Sequence, residues 1–74
     1  MSEKLERYAA QLRKVIERHD ELIEDTRELL RIHQEWEITD DVGAEELRED
    51  LQRLENRRER DRSYLRKVEE MLAS

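Results

Sequence analysis

Apolar residues recur along most of the chain at spacings of three and four, the period of one face of an α-helix. In the first half they fall into three heptad columns. Leu5, Leu12, His19, Thr26 and His33 occupy position a; Tyr8, Val15, Leu22, Leu29 and Trp36 occupy d; Ala9, Ile16, Ile23 and Leu30 occupy e. Three inward columns make a stripe wider than a two-stranded seam, so this helix needs more than one neighbour. Ser2 is an N-cap type and Glu3 suits a first turn, which predicts a helix over about 3–37.

The periodicity fades after Trp36, in the stretch Ile38-Thr39-Asp40-Asp41-Val42-Gly43. It contains the only glycine of a chain without proline, and Thr39, Asp40 and Asp41 are N-cap types for a following helix. A turn at about 38–43 and a second helix at about 44–73 follow, with Glu45 and Glu46 in its first turn. In that helix Leu47, Leu54, Asp61 and Val68 form column a, Asp50, Arg57, Tyr64 and Met71 form d, and Leu51, Arg58, Leu65 and Leu72 form e. Its ends are apolar, whereas Arg57, Arg58 and Asp61 interrupt its middle.

A connection this short makes the helices antiparallel neighbours. The fold class is therefore all-α: one helical-hairpin domain over 1–74. Reflecting the chain about the turn makes facing residues sum to roughly 82. Residues 17–28 then lie beside residues 54–65; the first block carries six acids against two arginines, a net of −4, and residues 57–67, which overlap the second, carry six bases against two acids, a net of +4. The charge match supports the hairpin independently of the apolar pattern and fixes orientation more than stability. The same reflection sets His33 near Asp50, His19 near Asp61 and Tyr64, and Thr26 near Arg57.

Charged residues make up 49 % of the 74-residue chain. That level alone would suit disorder, but the strict apolar spacing favours long helices. A hairpin this small cannot close its own apolar stripes. A second copy is the simplest closure, which predicts a homodimeric four-helix bundle or coiled coil. The expected interface core is Leu12, Val15, Ile16, Leu22, Ile23, Leu29, Leu30, Trp36, Leu47, Leu51, Leu54, Leu65, Val68 and Leu72. The expected buried polar layer is His19, Thr26, His33, Asp50, Arg57, Arg58, Asp61 and Tyr64, which would set register by punishing slippage.

Function classes narrow by what the residues lack. There is no cysteine, no glycine-rich phosphate loop and no nucleophile–base constellation, so no enzyme, catalytic residue or cofactor is expected. Two histidines fourteen residues apart on one helix cannot share an ion, and His19 has no carboxylate at i±3 or i±4; interior histidines with one hydrogen-bonding partner each are preferred to a metal site. An Asp-Asp-Val-Gly stretch without the ligand series does not make a calcium loop. The longest apolar run is three residues, so neither a signal peptide nor a membrane span fits, and a cytoplasmic location is expected.

The reading reached is a non-enzymatic homo-oligomerisation or protein-interaction module. The runner-up is docking on helices of a different protein. A nucleic-acid role ranks third: Arg58, Arg60, Arg62, Arg66 and Lys67 form a local basic run, but the net charge is −6 and the acidic helix lies beside them. In outline the two-helix pattern resembles the small plasmid copy-control proteins that bind RNA as hairpin dimers, a likeness of architecture with no shared motif. A designed bundle is a further alternative. The preference for arginine over lysine, the irregular turn and the unidealised caps favour a natural chain.

Overall fold

The computed structural model describes residues 2–36 and 41–74, the side chains of residues 41 and 42 apart. Two helices of 33 residues each, α1 (Glu3–Glu35) and α2 (Asp41–Ala73), pack against each other along their length. The hairpin is a rod of 55 × 14 × 14 Å, as expected where each helix rises about 1.5 Å per residue. Among the described residues no helix is long and apolar enough to cross a membrane.

The ends of the helices refine the expected boundaries. Ser2 has near-helical dihedrals (φ −80°, ψ −11°), so its side chain does not cap the helix. Its carbonyl instead accepts the Glu6 amide at 2.8 Å, and its hydroxyl donates to the Glu6 carboxylate at 3.3 Å. At the other end the Trp36 amide donates to the Ile32 carbonyl at 3.0 Å and closes α1. The second helix begins at Asp41, three residues before the expected start, so Gly43 lies inside its first turn. Glycine costs a helix only about 1 kcal/mol relative to alanine, which a well-packed helix can absorb. The turn residues Ile38, Thr39 and Asp40, among them two of the expected caps, lie outside the described residues.

The pattern offered three inward columns, and the seam between α1 and α2 uses two of them. Column e supplies Ala9 and Ile23, each 1 % exposed; column a supplies Leu12, Thr26, Asp61 and Val68, all buried. Ala9, Leu12 and Val68 form a compact core near the chain ends, with Leu5, Leu65 and Leu72 packed around it. Ile16, Leu30, Leu47, Leu51 and Leu54 are half-buried on the same seam. Column d lies to one side. Tyr8, Leu22, Leu29 and Trp36 of α1 are exposed, as are Asp50, Arg57, Tyr64 and Met71 of α2. Two helices in contact share one strip of surface, and an arc of three columns is wider than that strip.

Candidate functional site

Antiparallel helices that present equivalent columns to each other carry their remaining columns on a common side. The two d columns accordingly flank one face of the hairpin. At its middle is an open groove between the helices, lined by Leu22 and Thr26 of α1 and by Asp50, Arg53, Leu54 and Arg57 of α2. Along α1 this face is apolar from end to end: Trp36 is 75 % exposed, Leu29 50 % and Leu22 49 %, with Tyr8 and Ile32 also in solvent. Along α2 it is apolar only near the chain end, at Tyr64 and Met71, and charged at Asp50 and Arg57.

The residues expected in a polar layer divide between the seam and this face. His19, Thr26, His33, Arg58 and Asp61 are buried or half-buried on the seam, whereas Asp50, Arg57 and Tyr64 are exposed in the single hairpin because they occupy column d. Likewise, of the expected interface core, Leu22, Leu29 and Trp36 are exposed; Leu12, Ile23 and Val68 are buried, and Val15, Ile16, Leu30, Leu47, Leu51, Leu54, Leu65 and Leu72 are half-buried.

The structure brings His19 and Asp61 together. The His19 Nδ1 lies 3.6 Å from an Asp61 carboxylate oxygen, with both side chains largely enclosed. That separation is electrostatic contact but longer than a hydrogen bond, and the buried Nδ1 makes no hydrogen bond. The second Asp61 oxygen lies 3.5 Å from Arg60 Nε. The expected approach of His33 to Asp50 does not form: His33 Nδ1 is buried without a hydrogen-bond partner, and Asp50 points to Arg53 at 3.7 Å. Thr26 and Arg57 line the same groove, but the Thr26 hydroxyl donates to the Leu22 carbonyl one turn back, at 2.7 Å. A threonine can be buried this way without a partner on the other helix.

The basic run of α2 is largely engaged. Arg58 donates to Asp20 at 3.0 Å and Arg62 reaches the same carboxylate at 3.7 Å; Arg60 meets Asp61, and Arg66 meets Glu59 at 3.5 Å. Two further cross-helix pairs, Arg27–Glu55 at 3.2 Å and Arg13–Glu69 at 3.7 Å, extend the charge match along the rod. Among the described residues, no group of three His, Asp or Glu side chains is placed to hold a metal ion.

Sequence reasoning treated columns d and e as equivalent and so missed that the exposed face is the d face. The signal was present in α2, where e holds three leucines and one arginine while d holds an aspartate and an arginine beside Tyr64 and Met71. Compared with models of known protein families, with curated proteins and with solved structures, the chain has no match.

Proposed function

We propose that this chain is a self-assembly module in which two hairpins bury their d faces against each other as a four-helix bundle. One observation carries the reading: the exposed large apolar residues, Ile32 apart, lie on the column that the α1–α2 seam leaves out, and on α1 that column is apolar from Tyr8 through half-buried Val15 to Trp36. Scattered surface leucines are ordinary, but a continuous apolar stripe with charged residues around it is characteristic of an interface. A second copy offers the same stripe, and two-fold pairing is the commonest way for a small domain to cover one.

The second reading, docking onto a helix of a different protein, rests on the α2 edge of the face. Arg53, Arg60 and Lys67 recur there at heptad spacing; Arg53 and Arg60 meet carboxylates of their own helix, and Lys67 and Arg57 would suit acidic residues of a partner helix. The purified chain separates the two. Self-assembly predicts a dimer mass by sedimentation equilibrium and a melting temperature that rises with protein concentration. A helical monomer with a concentration-independent melt excludes it and leaves the second reading.

A further inference from the structure

Resting on that self-assembly reading, we infer that the two hairpins pack with their turns at opposite ends, about a two-fold axis that crosses α1 at Leu22. The d column of α1 is palindromic about this residue. Tyr8 and Trp36 are each fourteen residues from Leu22, and Val15 and Leu29 are each seven. An antiparallel crossing of α1 with its copy centred there pairs Leu22 with Leu22, Val15 with Leu29 and Tyr8 with Trp36, so that every d residue of the helix meets an apolar one. Slipping by a heptad in either direction strands Tyr8 or Trp36.

The hairpin's own register carries the axis to α2. Cross-helix ion pairs join Arg27 to Glu55, Arg13 to Glu69 and Asp20 to Arg62, so the level of Leu22 on α1 is the level of residue 60 on α2. A two-fold at that level pairs Arg57 with Tyr64 and Asp50 with Met71 of the second copy, to within one residue. Arg57, which has no carboxylate partner among the described residues, thereby gains an aromatic face. Both d columns come into register about a single axis.

Charge supports the same centre. Arg18 and Asp25 flank Leu22 on the outer edge of the d face, both are exposed, and neither forms an ion pair within the described hairpin. In the antiparallel crossing, Arg18 of each copy falls opposite Asp25 of the other, twice per dimer. On the α2 side the same axis sets Arg60 opposite itself and Arg53 opposite Lys67. Both arginines are already held by carboxylates of their own chain, Arg53 by Glu49 and Asp50 and Arg60 by Asp61, and they sit at the solvated rim where repulsion is weak. The competing arrangement, with both turns at one end, crosses α1 with α2 of the second copy. At the same register it sets Leu22 between Arg57 and Tyr64 and Leu29 between Asp50 and Arg57, which brings charge against leucine at two layers of the interface.

The chain has no cysteine, so single substitutions report on the arrangement directly. Leu22→Cys lies half in solvent and off the hairpin core, and under a mild oxidant it should give a covalent dimer in high yield, because a disulfide needs Cα atoms about 4.4–6.8 Å apart. Tyr8→Cys or Trp36→Cys alone should not link, whereas a mixture of the two should. An independent reading comes from charge reversal without cysteine: Arg18→Asp or Asp25→Arg should each weaken dimerisation several-fold, and the double reversal should restore it. A dimer in which Leu22→Cys fails to link, while a chain carrying both Leu22→Cys and Arg57→Cys links between copies, overturns the axis and leaves the self-assembly reading standing. So does a double charge reversal no better than the single ones. A monomer at all concentrations overturns both.

Discussion

The two halves of the rod are packed differently. Near the chain ends, Ala9, Leu12 and Val68 are buried, with Leu5, Leu65 and Leu72 around them. Near the turn, beyond Thr26 on α1 and before Asp61 on α2, none of the residues with described side chains is buried. Leu30, His33, Leu47, Leu51 and Leu54 are half-covered there, and Leu29, Ile32 and Trp36 stand in solvent. Chain ends usually fray and short turns usually anchor a hairpin, so this distribution is the reverse of the common one. Toward the chain end Leu5, Leu65 and Leu72 pack around the core, whereas toward the turn Asp50, Arg53 and Arg57 border an open groove beside Leu54. The half that is closed by its own residues holds the hairpin together. The half that is not closed presents the open part of a d face that a second copy would cover along the whole rod.

The largest effects should separate these halves. Leu12→Ala and Ile23→Ala remove enclosed side chains and should each cost about 2–5 kcal/mol in urea unfolding, at any protein concentration at which the chain folds. Leu54→Ala, near the turn and at the groove, should cost clearly less in dilute protein. If a second copy closes that half, the cost of Leu54→Ala should climb toward that of Leu12→Ala as concentration rises. Equal costs at all concentrations would show that the halves do not differ in stability.

Asp61 stands at the junction, and its removal comes next in size. Asp61→Ala removes the carboxylate beside His19 and Arg60, and since His19 Nδ1 makes no hydrogen bond to it the change should destabilise by up to about 1 kcal/mol. Replacing Thr26, Arg57 and Asp61 together with apolar residues should instead raise the melting temperature while broadening the distribution of oligomers, since polar residues at an interface contribute more to register than to stability. A triple variant that melts lower, or that stays one species by sedimentation velocity, defeats the register argument.

Much of this architecture was legible in the residues. Helical period, the single glycine and the opposed charge blocks gave the hairpin, and reflection about the turn gave its register: Arg27–Glu55, Arg13–Glu69 and Asp20–Arg62 all sum to 82, and His19 meets Asp61. Two things were harder to read. Periodicity marks an arc of α1 as inward without saying which edge of the arc another helix takes; only the polar residues at d in α2 hint that Leu22, Leu29 and Trp36 are left exposed. Reflection also matches residues by level and not by side-chain direction. Asp50 shares a level with His33 but sits on column d, and it turns to Arg53.

Amide hydrogen exchange should show the contrast between the halves without any substitution. In dilute protein the amides of α1 after Thr26 and of α2 before Leu54 should exchange faster than those around Ala9, Leu12 and Val68, because opening the turn half exposes less apolar surface. Raising the concentration should slow the turn half selectively. Uniform exchange along both helices would contradict the difference in packing.

The smallest expected effect concerns the ion pairs that tie each half across the seam. Arg27–Glu55 lies in the turn half at 3.2 Å, with Glu55 about a third exposed; Arg13–Glu69 lies in the other half at 3.7 Å, with both side chains half in solvent. Exposed pairs contribute about 0.2–1 kcal/mol because water and side-chain entropy offset the attraction. The shorter, better enclosed pair should give the larger coupling in double-mutant cycles with alanine, even though Arg27 divides itself between Glu55 and Glu24. Both couplings should fade in 1 M salt, where the screening length falls to about 3 Å. The turn half would then depend on its charges for a larger share of its closure than the half with a buried core, and high salt should speed its exchange more. If Arg13–Glu69 couples more strongly, or if salt slows the turn half, charge is not what aligns the helices there, and the half-buried leucines of the seam must set the register by themselves.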